Sequence, residues 1–141
     1  PLFVLVVAGL DQRYQWSPPL GVGLQLTGLF LAVAGYALAT WAMYSNRFFS
    51  GVVRIQTERG HRVVDSGPYA YVRHPGYSGS LLAGLGFPLA LSSLWALLPL
   101  LLVFVVTVIR TRLEDETLQQ ELPGYAEFTK RTRYRLIPGV W

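Results

Sequence analysis

The sequence predicts an all-α integral membrane helical bundle with a cytoplasmic-face loop, which contains short extended segments, and a C-terminal helical tail. Of its 141 residues, 52% are hydrophobic and 14% are charged, whereas a soluble domain carries roughly 25% charge. No formal charge occurs in the 33 residues between Arg13 and Arg47, or in the 36 between Arg73 and Arg110 with His74 counted as neutral. Each of these stretches exceeds the roughly 20 apolar residues that a membrane span requires.

The first helix is predicted from residues 1–10, which are apolar but too few to span a bilayer. We interpret them as a partial span, the end of a transmembrane helix in a chain that continues upstream. The short charged segment Asp11–Arg13 is electrically balanced. Residues 20–45 then predict one complete span.

The second uncharged stretch predicts a helical hairpin. As one helix it would measure about 54 Å, well beyond a hydrocarbon core of about 30 Å. We therefore expect helices over 76–90 and 94–112, with a turn at 91–93. Pro88 and Pro99 are expected to kink these helices or to mark their ends.

Small residues recur within the predicted spans and indicate close helix packing. One series has a spacing of seven residues: Gly21, Gly28, Gly35 and Ala42. The other alternates spacings of three and four: Gly76, Gly79, Ala83, Gly86 and Ala90.

Basic residues are concentrated in the 47–75 loop and around the 113–141 tail. A hairpin between these segments places both on one side, and the positive-inside rule makes that side cytoplasmic. The compact plan favours a bacterial inner membrane over the endoplasmic reticulum. Within the loop, 52–56 and 62–64 are expected to be extended, with turns at Arg59-Gly60 and at 66–68.

Two motifs in these polar segments are familiar. The run Gly-His-Arg-Val-Val-Asp-Ser-Gly-Pro-Tyr at 60–69 continues to Arg-His-Pro-Gly-Tyr-Ser-Gly at 73–79, and Arg-Thr-Arg-Leu-Glu-Asp-Glu-Thr-Leu follows at 110–118. This combination resembles the isoprenylcysteine carboxyl methyltransferase family of integral membrane enzymes, which is related to phospholipid methyltransferases. The resemblance covers roughly 47–141.

The resemblance implies that S-adenosylmethionine is the cofactor. Because the sequence has no cysteine and two histidines, we expect no metal site. The resemblance assigns cofactor contacts to Gln56, His61, Arg62, Val63, Val64, Tyr69, His74, Pro75, Gly76, Tyr77 and Glu114. It assigns substrate orientation to Arg110. The spacing to Gly124-Tyr125 leaves open a second register, in which Arg112 and Glu116 take these roles.

The residue types are chemically suited to this cofactor and to an anionic acceptor. Aromatic faces suit a sulfonium and a carboxylate accepts hydrogen bonds from ribose hydroxyls. Arg110 and Glu114 are four residues apart and share one helix face. An acceptor carboxylate is already ionised at neutral pH, so its methylation requires no strong general base.

Several alternatives remain at the level of the sequence. The acceptor is expected to be a prenylated cysteine carboxylate, or alternatively a phospholipid or another small lipid methylated on nitrogen or oxygen. A nicotinamide-dependent membrane reductase and a non-enzymatic lipid-binding module are the other classes. Membrane lipids are expected partners and nucleic acid is not, while the oligomeric state is undetermined. Asp115 is expected to lie on a solvated helix end.

Overall fold

A computed structural model of the chain describes residues 2–52 and 54–141, and the predicted all-α class is confirmed for them. The helices are α1 (Leu2–Tyr14), α2 (Val22–Ser45), α3 (Pro75–Ala90), α4 (Leu97–Glu121) and α5 (Tyr125–Arg131), with 3₁₀ turns at Thr57–Arg59 and Gly67–Ala70. The chain divides into two compact units. The first comprises Pro1–Ala37 and Gly79–Thr107, and the second comprises Leu38–Ser78 and Val108–Trp141.

In the first unit, glycine allows α2 and α3 to approach backbone to backbone. A Cβ atom added at Gly28 would lie 2.7 Å from the carbonyl oxygen of Gly86, and one added at Gly35 would overlap the backbone of Gly79 and Ala83. The close packing predicted from the small-residue series is therefore confirmed at these positions. Gly21 differs, since a Cβ added there would meet nothing within 4 Å.

A buried carboxylate organises the loops of the first unit. Asp11 is 1% exposed and accepts hydrogen bonds from the Ser17 hydroxyl at 2.6 Å, the Ser17 amide at 2.7 Å and the Ser93 hydroxyl. Ser93 lies in the turn between α3 and α4, where the sequence predicts one. Charge balance alone gave no indication that Asp11 has this role.

The first unit also exposes much apolar surface. Phe30 is 70% exposed, and Leu26 and Val33 are each 61% exposed. Among the described residues, one helix, Val22–Ser45, is long and apolar enough to cross a membrane, with a mean hydropathy of 1.7. Such a surface is large for a water-soluble monomer.

In the second unit, α4 continues to Glu121, past residue 112 where the predicted membrane span ends. The reason is that its polar turns still have an apolar side. Leu118 and Leu122 pack against a core that contains Tyr69, Tyr125 and Phe128.

None of the described residues of the 47–75 loop forms a β-strand, so the segments predicted to be extended are not paired into a sheet. The carbonyl oxygen of Gln56 instead accepts the amides of Arg59 and His61 at 2.9 and 3.2 Å, which folds the backbone into a turn. Both predicted turns are present, with Gly60 and Gly67 at φ of +62° and +60°. Val53, in one predicted extended segment, and Pro1, in the predicted partial span, lie outside the described residues.

Candidate active site

A cleft in the second unit is formed by described residues of the 46–61 loop, by Tyr69, by the start of α3 and by residues 114–118 of α4. Six of the residues predicted to contact the cofactor line it: His61, Tyr69, His74, Gly76, Tyr77 and Glu114. Its other walls include side chains that sequence reasoning did not single out, among them Asn46, Phe48, Phe49 and Leu118.

The loop wall of the cleft is held by Gln56, which is 1% exposed. Its Nε2 donates to the carbonyl oxygen of Phe48 at 2.7 Å, and its Oε1 accepts from Arg59 at 2.7 Å. The backbone N–H of Gln56 donates to His61 Nδ1 at 3.3 Å. The His61 ring packs on the Phe48 ring, with centroids 4.6 Å apart. The side chain of Gln56 is therefore hydrogen-bonded within the loop and does not line the cleft, and its contact with the cofactor stays a prediction.

The α3 wall depends on a proline and a glycine. Pro75 is buried at the first position of α3, where its missing N–H costs nothing. At Gly76 a Cβ atom would lie 2.7 Å from the Phe49 ring, so the aromatic ring sits directly on the helix backbone. Pro75 is thus buried beneath the wall of the cleft and does not line it, whereas Gly76 does.

Tyr77 connects the α3 wall to α4. Its hydroxyl donates to Glu114 Oε2 at 2.6 Å, and the guanidinium of Arg110 lies 5.6 Å from the centre of its ring. Arg110 also donates to the carbonyl oxygen of Gly51. The phenol and the carboxylate line the cleft, and the guanidinium of Arg110 lies beside Tyr77 without being one of the lining residues.

The sequence left open whether Arg110 and Glu114 or Arg112 and Glu116 are the site residues. Of the two glutamates, Glu114 lines this cleft. Arg112 and Glu116 instead form an exposed i,i+4 pair at 2.8 Å, with side chains 69% and 44% exposed. This pair is a surface feature of α4.

Arg62, Val63 and Val64 lie in a separate recess with Tyr44, Ser45 and Asp65. The predicted cofactor contacts are thus divided between two places. Phe48 contributes to both.

Asp115 was expected to be solvated, and this expectation is wrong because its side chain is fully buried. Its carboxylate accepts six hydrogen bonds, two of them from one guanidinium: from Arg73 (both at 2.9 Å), Arg135 (2.9 Å), Tyr125 (2.9 Å), Gln119 (3.1 Å) and His74 (3.3 Å). Burial alone would raise the pKa of Asp115, but the hydrogen bonds from His74 and Arg135 and the charge of Arg73 outweigh it and lower the pKa below 3.8.

Hydrogen bonds join the C-terminal segment, residues 134–136, to the chain at and just before the start of α3. The amides of Arg73 and His74 donate to the carbonyl oxygens of Tyr134 and Arg135, both at 2.9 Å. The Ser78 hydroxyl donates to the carbonyl oxygen of Leu136 at 2.6 Å. The tail is therefore part of the site's framework.

A sequence profile of phospholipid methyltransferases matches residues 20–123, which cover most of the cleft. The chain belongs to the phospholipid methyltransferase family. This family is membrane-associated.

Curated relatives of this phospholipid methyltransferase family member include proteins of different activities. It is 32% identical to a Delta(14)-sterol reductase of Mus musculus over 87% of this chain and 32% of that protein. It is 33% identical to a cobalt-zinc-cadmium resistance protein of Cupriavidus metallidurans over 83% of this chain and 49% of that protein.

A third relative is a probable protein-S-isoprenylcysteine O-methyltransferase of Oryza sativa, 37% identical over 42% of this chain and 31% of that protein. This match confirms the resemblance carried by the two motifs. The chain spans about a third to a half of the length of these curated relatives.

In this phospholipid methyltransferase family member, sequence reasoning missed both several lining residues, such as Asn46 and Phe49, and the charged pair that supports the cleft. Arg73 lies in the first motif, just before the predicted helical hairpin, and Asp115 lies in the second motif, just after it. Each motif contains a charged residue to which the resemblance assigns no role, Arg73 in the first and Asp115 in the second. The expected location of these charges at the same membrane face could have suggested their pairing.

Proposed function

We propose that this protein transfers a methyl group from S-adenosylmethionine to a lipophilic acceptor at the membrane interface, by carboxyl O-methylation of an isoprenylcysteine-like compound. The observation that carries the proposal is the cleft in which Tyr77 and Glu114 are hydrogen-bonded at 2.6 Å with Arg110 beside them. Membership of the phospholipid methyltransferase family supports the reaction type.

The donor set of the cleft suits the cofactor. The Glu114 carboxylate accepts hydrogen bonds from ribose hydroxyls or pairs with an ammonium group. Tyr69, Tyr77 and the His61–Phe48 pair offer ring faces for an adenine or for a sulfonium. When bound, S-adenosylmethionine supplies an electrophilic methyl group on its sulfonium.

Arg110 suits a negatively charged acceptor. One of its donors is used by the carbonyl oxygen of Gly51, and a guanidinium has five N–H donors, which leaves others for a carboxylate. A carboxylate is ionised at neutral pH, so the residues of the site need only orient the acceptor and exclude water. The reaction therefore requires no general base to deprotonate the acceptor.

The apolar surface of the first unit supports a multi-pass placement in the membrane. We propose spans at 20–45, 76–90 and 94–112, with a partial span at 1–10. The basic loop and tail would face the cytoplasm, and a bacterial inner membrane is favoured over the endoplasmic reticulum.

A nicotinamide-dependent reductase is the second candidate. It is favoured by the match to a sterol reductase, which covers 87% of this chain. The cleft offers no feature that requires a nicotinamide, and the methyltransferase remains the proposal.

The first experiment is calorimetric titration of the detergent-solubilised protein with S-adenosylmethionine and S-adenosylhomocysteine. We expect binding that Glu114→Ala abolishes and that Glu116→Gln, a change on the exposed side of the same helix turn, leaves intact. Binding of a reduced nicotinamide dinucleotide instead would support the reductase.

The acceptor is tested with radioactive methyl donor, using an S-prenylated cysteine and phosphatidylethanolamine in separate assays. A methyl ester releases volatile methanol in alkali, whereas an N-methyl group does not. We expect alkali-labile product from the prenylated cysteine alone. Product from phosphatidylethanolamine alone would replace carboxyl methylation with lipid N-methylation.

A further inference from the structure

Asp115 combines complete burial with a full set of hydrogen bonds. Three donors approach each of its oxygens: Arg73 Nε, His74 Nε2 and Tyr125 Oη on Oδ1, and Arg73 Nη2, Arg135 Nε and Gln119 Nε2 on Oδ2. An ionised carboxylate has about four lone-pair sites and no proton to donate. Every group around it must therefore present a hydrogen.

This requirement determines the state of His74. Since Asp115 only accepts, His74 Nε2 must carry a proton, at 3.3 Å from Oδ1. The His74 ring then lies nearly parallel to the Tyr77 ring, with centroids 5.9 Å apart and planes inclined by 14°. Tyr77 in turn donates to Glu114.

We infer that Asp115 is the positioning residue of this site: it fixes the His74 ring with its proton on Nε2, and through that ring it sets the orientation of Tyr77 and Glu114 in the cleft. Asp115 does not line the cleft; its partners His74 and Arg73 do, and His74 is the one that lies against Tyr77. Arg73 and Arg135 keep it ionised, and Arg135 also brings the C-terminal segment to the same carboxylate.

The effect on binding rests on the proposed function, whereas the state of His74 can be measured without any ligand. The chain has two histidines, so protein labelled with ¹⁵N-histidine gives two imidazole spectra, and His61→Gln assigns them. In the wild-type protein at neutral pH we expect a proton held on Nε2 of His74. In Asp115→Asn we expect this preference to be lost, while the matched variant Glu116→Gln keeps it.

Calorimetry with S-adenosylhomocysteine supplies the second readout. We expect Asp115→Asn to weaken binding about ten-fold, because Tyr77 and Glu114 must then be ordered during binding, and Glu116→Gln to leave it unchanged. Wild-type His74 found without a proton on Nε2, or averaging between its two neutral forms, would overturn the inference even if Asp115→Asn did not fold.

A folded Asp115→Asn protein with unaltered His74 would overturn it as well. Absence of cofactor binding by the wild-type protein would count against the proposed function alone, because the imidazole spectra would still decide the role of Asp115.

Discussion

The Tyr77 hydroxyl donates a 2.6 Å hydrogen bond to the Glu114 carboxylate, joining the first turn of α3 to α4 at the edge of the cleft. These residues are 37 positions apart in the sequence. The bond holds Glu114 in one orientation before any ligand arrives. A hydrogen bond to a charged group contributes about 1.5–3 kcal/mol, so its removal should be measurable.

Tyr77→Phe keeps the ring and removes this bond. We expect the dissociation constant for S-adenosylhomocysteine to rise about ten-fold, equivalent to roughly 1.4 kcal/mol, because Glu114 must then be ordered during binding. Calorimetry measures the change, and Tyr71→Phe is the control because Tyr71 is 68% exposed. Equal affinity in the two variants would show that the bond has no role in binding.

Gly28→Ala should destabilise the first unit, because the new methyl group would meet the backbone of Gly86 and Ala90, which cannot move independently. Overpacking of this kind costs about 1–3 kcal/mol. Gly23→Ala in the same helix meets nothing within 4 Å and should be neutral or stabilise by up to about 1 kcal/mol. Thermal unfolding in detergent compares the two variants, and an unchanged midpoint for Gly28→Ala would contradict close packing at this position.

Asp115 should make stability sensitive to acid. Its pKa is lower in the folded state than its ordinary value of 3.8, so the unfolded chain binds the proton more readily. The stabilisation is therefore complete well above pH 3.8 and is lost as the pH falls below it. Unfolding midpoints between pH 6 and 2.5 should show a smaller acid loss in Arg135→Gln, which lacks one of the cations. An acid loss equal to that of the wild type would mean that Arg135 does not lower this pKa.

His61 should weaken the loop at moderately low pH. Burial lowers its pKa below 6.5, and its Nδ1 must be unprotonated to accept the Gln56 amide. The unfolded state therefore takes up a proton first, and stability falls as the pH drops below 6.5. Amide hydrogen exchange across residues 47–61 should quicken between pH 7.5 and 5.5 after correction for intrinsic rates. Exchange that stays constant would show that the Gln56–His61 bond does not order the loop.

The sequence allowed the helical class and the principal turns to be predicted, because long uncharged runs and glycine positions depend on local chemistry. The same composition did not reveal where α4 ends. Its polar turns resemble a solvated tail, and only the packing of Leu118 and Leu122 on the second unit's core shows why the helix continues to Glu121.

The site was predictable in region but only partly in detail. Glu114 and Tyr77 line the cleft, whereas Gln56 is occupied within its own loop. Arg62 lies in a separate recess because the backbone turns at Gly60 and again at Gly67. Asp115 carries the same type of charge as its neighbours in the sequence, and only the arrival of Arg73 and Arg135 from distant segments distinguishes it.

The partners of Asp115 also impose an order on biosynthesis. Its carboxylate is neutralised by groups that come from as far apart as residues 73 and 135. Because translation runs from the N-terminus, Arg73 and Asp115 are both made before Arg135, so the carboxylate cannot acquire its full set of donors until the C-terminal segment is complete. A chain halted before residue 135 would therefore carry all of the long helices and lack one of the two guanidinium groups that neutralise Asp115 behind the cleft.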